Sequence, residues 1–493
     1  SLRRQRQMCI RDRSYSIPFC DQNVKDASEC KERTNTPREL FNKIDELGLD
    51  ALVIPHGTTW GIHSPANSTM SSQLLNDNHD PKKQRLMEVY SGHGNSEVYK
   101  NIQHTKKLPS GGFECPLPTE EFEPCCWRAG EIVNQQCLNE TGKECNDKAD
   151  DIRKEFANNS SGLLRFSLVE NATQEDWKQC GQLKNSFLPA YTYRPAMSSQ
   201  AALASEVEIE NTINSFKLGL IGSTDNHKAR AGAGYKEFAR KSMGDSWGAK
   251  DNLTWILPPE RGASFYSTGG LVAVHADKLE RNNIYNSLYD REVYATSGER
   301  ILLWFNLIYN NQEIPMGSEI AIPSNPTFEV RALGSFKQLP GCPDYVHTAM
   351  SKEEISRLCL NECYNPSNER YLIDRIEIVK ILPTQNLDSL DEAIQDPWKT
   401  FECDDVGEGC SIGFQDNAFS SAKENAIYYV RAIQMETDAV GGDPLRCEYN
   451  EFGECIKIRP CYASGPDFDP SDDCLAPIGE RAWSSPIFLN YLN

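Results

Sequence analysis

Three side chains have the types and the spacing to hold a metal ion: His56, Asp225 and His227. Asp225 and His227 stand two positions apart, after the run Phe216-Lys-Leu-Gly-Leu-Ile-Gly-Ser-Thr. The apolar stretch 218–221 is short and bounded by Gly222, as a buried strand of a parallel sheet is. In an extended chain residues i and i+2 point to one side, so the carboxylate and the imidazole converge at the C-terminal mouth of that strand. Open α/β sheets and α/β barrels place their chemistry there. A surface turn rich in Ser, Asp and Asn is the competing reading of the same residues. His56 ends a similar unit. Leu40, Phe41, Ile44, Leu47 and Leu49 predict a helix over 39–49, the apolar run 51–54 predicts a buried strand, and Pro55-His56-Gly57 closes it. A single histidine in that place packs or caps; two histidines and an aspartate at strand ends together suit one metal cluster.

A carboxylate stands in the third apolar run. Residues 82–86 read as a last helical turn before a strand over 87–90, and that strand contains Glu88. An unpaired charge inside an apolar strand is costly, so Glu88 needs a cation or a hydroxyl donor at the strand mouth. The alternative is a Glu on the solvent side of an edge strand. Ser91-Gly-His-Gly-Asn-Ser-Glu97 follows directly.

The chain that must position these groups has 493 residues, 39% of them hydrophobic, enough for two to four domains with sizeable cores. Its 51 basic and 71 acidic side chains give a formal charge of −20. Such a surface repels nucleic acid and anionic membranes, and an anionic substrate needs a local positive site such as a metal ion. No run of eighteen apolar residues suggests a membrane span. The 18 cysteines lack a Cys-x-x-Cys pair between 115 and 145, which favours disulfides over zinc and an oxidising, secreted or periplasmic compartment. Sequons at Asn67, Asn139, Asn158, Asn159, Asn171 and Asn252 permit N-glycosylation in a eukaryotic secretory pathway. Residues 1–13 fit no fold logic; they resemble a translated sequencing-adapter read, and the true N-terminus is expected to be missing.

Three regions follow from the pattern. Residues 14–300 read as an α/β domain, with a Cys-, Pro- and sequon-rich insertion over about 108–185 that includes a helix over 148–157. A helix over 199–215 leads into the central strand, residues 269–276 read as a further buried strand, and 280–290 as an amphipathic helix. From 301 to 493 the runs 301–308, 327–332, 371–382, 426–434 and 482–489 suit strands separated by Pro, Gly and Cys, a pattern of a disulfide-stapled β-sandwich-like domain.

Five stretches in order carry a family resemblance: Leu52-Val-Ile-Pro-His-Gly57, Glu88-Val-Tyr-Ser-Gly-His-Gly-Asn-Ser-Glu97, Phe216-Lys-Leu-Gly-Leu-Ile-Gly-Ser-Thr-Asp-Asn-His227, Arg291-Glu-Val-Tyr-Ala-Thr-Ser-Gly-Glu-Arg-Ile301 and Arg481-Ala-Trp-Ser-Ser-Pro-Ile487. The chain resembles the domain-of-unknown-function family numbered 3604, within the polymerase and histidinol phosphatase (PHP) superfamily of metal-dependent phosphoesterases. The resemblance implies a distorted α/β barrel followed by the β domain, with divalent metal ions (zinc, manganese or iron) at the strand ends. It implies metal-ligand roles for His56, Asp225 and His227, and catalytic positions near the same mouth for Glu88, Glu97 and Asp225. The reaction implied is hydrolysis of a small-molecule phosphate ester by metal-activated water. The family opens with a His-x-His motif that is absent from the eight histidines here. Either the barrel is incomplete at its N-terminus, or the protein is a binding or scaffold glycoprotein with a degenerate site.

Overall fold

The computed structural model describes residues 33–224 and 269–492, apart from 62–63, 66, 138–141, 160–165, 174, 191, 360, 362, 405, 441, 443–445, 459–468, 470 and 473–474. It mixes helices with many strands in several sheets, α/β followed by β. Among the described residues no helix is long and apolar enough to cross a membrane.

Helix α1 (Pro37–Glu46) starts on Thr36, whose hydroxyl accepts from the Glu39 N–H. It stops short of residue 49 because Gly48 takes a left-handed φ of 61°. The run 51–54 is not the expected buried strand. Val53 N–H donates to Lys83 O (2.9 Å) and Glu88 N–H to Pro55 O (3.4 Å), while Ile54 is 37% exposed. Contacts so widely spaced make no ladder, and the segment lies as an extended strap beside strand β1 (Leu86–Ser91). Residues 82–86 are not helical either. Asp80 accepts from the N–H groups of Lys82, Lys83 and Gln84 and closes a turn instead.

All six residues of β1 are buried. It runs parallel to β2 (Gly219–Gly222), with Leu86 opposite Gly219 and Glu88 opposite Ile221, and antiparallel to Gly94–Asn95. Glu88 therefore sits in the middle strand of this sheet, which removes the edge-strand reading.

The insertion packs α2 (Cys125–Gln136) on α3 (Gly142–Asn158), so the helix expected over 148–157 is longer. Adjacent cysteines pin it in two directions, through Cys115–Cys126 and Cys125–Cys180. Residues 199–215 are not one helix. Helix α4 (Ser199–Ala204) ends at Ser205, and a hairpin pairs Glu206–Ile209 with Thr212–Ser215. Glu210 and Asn211 both take positive φ, 51° and 61°, as a two-residue hairpin turn needs.

One eight-stranded sheet crosses residue 300, where a domain boundary was expected. It joins β3 (Leu271–Val274) and β4 (Val293–Thr296), separated by helix α5 (Arg281–Asp290), to later strands. β3 is a half-exposed edge strand rather than a buried one, with Val272 40% exposed, because among the described residues only β4 pairs with it. A four-stranded sheet contains β5 (Leu302–Tyr309) and β6 (Thr327–Leu333). Next come β7 (Ile373–Ile381) and β8 (Ala426–Gln434), which belong to the larger sheet. The run 482–489 divides into β9 (Arg481–Ser484) and β10 (Ile487–Tyr491), since Pro486 has no N–H for a ladder. Leu303, Phe305 and Phe328 of the smaller sheet share an apolar cluster with Ile376, Tyr428 and Val430 of the larger. A second cluster joins Met87, Tyr90 and Leu220 to Tyr429, Trp483 and Phe488. The N-terminal sheet and the C-terminal strands thus share one core. Beyond residue 340 lie the bridges Cys342–Cys363, Cys403–Cys410 and Cys447–Cys455.

Candidate functional site

The partners of Glu88 define the site. Its two carboxylate oxygens lie 2.9 and 3.0 Å from His56 Nδ1, and the Ser223 hydroxyl donates to Oε2. The demand made by a charge in an apolar strand is met by an imidazole from the strap and a hydroxyl one residue past β2. A carboxylate only accepts, so the proton on His56 Nδ1 faces Glu88, and in the neutral imidazole Nε2 then carries the lone pair. The Glu88 side chain is 7% exposed and that of His56 is 44% exposed, so the pair spans from core to surface.

The turn after β1 adds a second imidazole. His93 N–H donates to Ser91 Oγ (3.2 Å), and Gly94 takes a φ of 87°. A Cβ at Gly94 would meet the Leu188 carbonyl at 2.5 Å, so only glycine fits. The rings of His93 and His56 meet edge to face with centroids 4.9 Å apart, and Trp60 stacks on His93 at 4.4 Å. Sequence reasoning left His93, Trp60 and Ser223 unassigned. Gly-His-Gly directly after a buried strand signalled His93, and Ser223 had its place at the strand mouth; nothing local marked Trp60.

Glu97 faces away from this cluster. It has no exposed surface and accepts from Arg431 Nη1 (3.0 Å), Tyr429 Oη (2.6 Å) and Trp483 Nε1 (2.5 Å). Arg431 also pairs with Asp396 and, at 2.9 Å, with Glu377. Burial pushes the Glu97 carboxyl above its ordinary value, with Arg431 opposing it. Burial also works against the charge on Arg431, yet Glu97 and Asp396 hold that guanidinium well above its ordinary value. The adjacent Ser96 turns the other way, with Oγ 2.9 Å from Thr59 Oγ1 on the Trp60 segment. Residues 91–97 are thereby fixed between the site and the C-terminal sheet.

Asp225 and His227 lie outside the described residues; Ser223 is two positions before Asp225. Among the described residues no three His, Cys, Asp or Glu side chains gather as a metal-binding group. The His56–Glu88 pair nevertheless has the chemistry of an imidazole set to hold a metal. A ligating histidine donates its second ring N–H to a carboxylate, which fixes its tautomer and raises its basicity.

Residues 172–329 match a family described as "Protein of unknown function (DUF3604)". The match contains β2, Ser223 and the Asp225–His227 pair, and stops short of most of the β region. An uncharacterized protein of Chlamydia pneumoniae is 39% identical over 61 residues, 12% of this chain and 9% of its own length. An uncharacterized protein of Chlamydia muridarum (strain MoPn / Nigg) is 39% identical over 57 residues, 12% and 8% of the two lengths. The similarity thus spans less than a tenth of these curated relatives. No solved structure matches the chain.

Proposed function

We propose that this protein is an extracytoplasmic metal-dependent hydrolase of phosphate esters, built as a PHP-like α/β barrel with a β-sandwich-like domain behind it. The observation that carries this reading is the contact of His56 Nδ1 with the buried Glu88 carboxylate, which in the neutral ring leaves the Nε2 lone pair for a metal. The Ser223 hydroxyl on the same carboxylate supports it, because the chain then runs two residues on to Asp225. A divalent ion such as zinc, manganese or iron held by His56, Asp225 and His227 would supply Lewis-acid polarisation of the phosphoryl group and a water acidic enough to attack it. Glu88 orients His56 and strengthens it as a donor. His93, held by Trp60 beside His56, is the group we assign to hold a proton for the leaving oxygen. Glu97 positions the turn that carries His93. The five disulfides described support the compartment.

The second reading is a non-catalytic secreted binding or scaffold glycoprotein. The complete commitment of Glu97 to Arg431, Tyr429 and Trp483 favours it, since that carboxylate cannot reach a substrate. Elemental analysis and a phosphomonoester and phosphodiester screen separate the two. We expect stoichiometric metal and turnover in the parent, and loss of both in Asp225→Ala with an unchanged thermal melt. A parent that stays metal-free and inert after reconstitution with zinc, manganese and iron leaves the scaffold reading.

A further inference from the structure

A second region has the wrong sign of charge for this protein. A cavity of about 370 Å³ opens between residues 67–68, 102–107 and 194–196. Lys106, Lys107, Arg194 and His104 line it with Ser68 and Thr105, and none of the described residues that line it is Asp or Glu. In a chain of formal charge −20, such a wall concentrates positive potential where the surroundings are negative.

Arg194 and His104 are held from behind. Arg194 is 9% exposed; its N–H donates to Thr59 O (2.8 Å) and its Nε to Ser64 O (3.0 Å), which fixes the plane of the guanidinium. The next residue back holds the imidazole: His104 Nε2 donates to the Tyr193 carbonyl, and the ring sits edge to face on Phe122 at 4.8 Å. Lys106 and Lys107 lie on a short exposed strand paired to Phe113–Glu114. Lys106 Nζ reaches Glu114 at 2.9 Å, but both side chains are largely exposed, so solvent and an incoming anion compete with that pair.

We propose that this cavity binds small tetrahedral oxyanions, the phosphate or sulfate group of a low-molecular-weight ester or of the free inorganic ion. The Arg194 guanidinium and the lysines supply positive charge, and Ser68 and Thr105 add hydroxyl donors. The volume leaves room for a group of sugar size behind the anion. The site is independent of the metal reading. Among the described residues, the segment of Thr59 and Ser64, whose Trp60 stacks on His93, links it to the His56 cluster.

Isothermal titration calorimetry on the full chain with inorganic phosphate, inorganic sulfate and glucose 6-phosphate tests the proposal. Binding should weaken with added salt, fall about tenfold in Lys107→Glu, and persist in His56→Ala. Arg194→Gln should abolish it, with a thermal melt to confirm folding; Lys107 is exposed, so its variant carries no folding risk. Glucose 6-phosphate binding more tightly than phosphate identifies an ester site, and equal binding a free-ion site. No heat with any of the three anions overturns the proposal. So does binding that His56→Ala removes and Lys107→Glu leaves intact, because the anion then sits at the other site.

Discussion

Glu97 and Arg431 are 334 positions apart in the chain and meet at 3.0 Å with the carboxylate wholly buried. The contact joins the turn that carries His93 to the middle of β8. Such a pair gives little net stability over an apolar pair, but removing one partner strands a buried charge. We expect Arg431→Met to cost about 3–5 kcal/mol, because Glu97, Asp396 and Glu377 lose their common cation. The double variant Glu97→Gln/Arg431→Met should cost less than the sum of the singles. Urea denaturation reads both; additive costs, or a single-variant cost under about 1 kcal/mol, would show that the pair is not coupled as described.

Glu88→Gln tests the orientation of His56. Glutamine keeps an oxygen for Nδ1 but loses the charge that makes Nε2 a strong donor. Metal affinity should fall about 10–100-fold, measured by competition with a chromophoric chelator. Affinity equal to the parent would remove Glu88 from that role. Ser223→Ala, which deletes only the hydroxyl donor, should give a smaller loss in the same assay.

How much of this was legible depends on how local the cause was. The strand around Glu88 and its need for a partner were readable, because an apolar run with one carboxylate states both. The partner itself came from a segment 32 positions away, which no periodicity encodes. The strap at 51–54 looked like a buried strand because four apolar residues do not say whether anything pairs with them. The hairpin after α4 was hidden by the helix-forming Ala201, Ala202 and Ala204, although Asn211 was a turn signal. The sheet that crosses residue 300 depends on β9 pairing with β4, with Ala482 opposite Thr296, a contact visible only in three dimensions. The family resemblance placed Glu97 near the mouth, yet its side chain points the opposite way from Ser96, as alternation along an extended chain requires.

Asp416 predicts an acid-sensitive part of the stability. It is buried and accepts from Lys380 Nζ and Tyr428 Oη, both at 2.6 Å. Burial alone would raise its pKa; the Lys380 ammonium and the other hydrogen bonds outweigh it and hold the carboxyl below its ordinary value. A carboxyl with a depressed folded pKa stabilises the fold above its unfolded value, and this contribution is lost as pH falls through the folded value. Stability should therefore drop below about pH 4, and Asp416→Asn should flatten that limb. At pH 7 the same variant should cost about 3–5 kcal/mol, because Lys380 is left buried without its counter-ion. A parent and variant with parallel pH profiles would assign the acid limb to other groups.

The adjacent cysteines of α2 give the last expectation. Cys125 closes a loop of 55 positions to Cys180, and Cys126 one of 11 to Cys115. Loop-closure entropy in the unfolded chain grows with the logarithm of loop length, giving about 4 kcal/mol for the longer loop and about 3 for the shorter. Each pair changed to serine should rank in that order by chemical denaturation. The longer bridge also ties Cys180 into the cluster of Phe156, Phe166 and Trp177, so its loss should expose the insertion to protease before the rest of the chain. Cleavage that begins elsewhere would mean that this cluster stands without its staple, and that apolar packing rather than chain entropy holds the insertion closed.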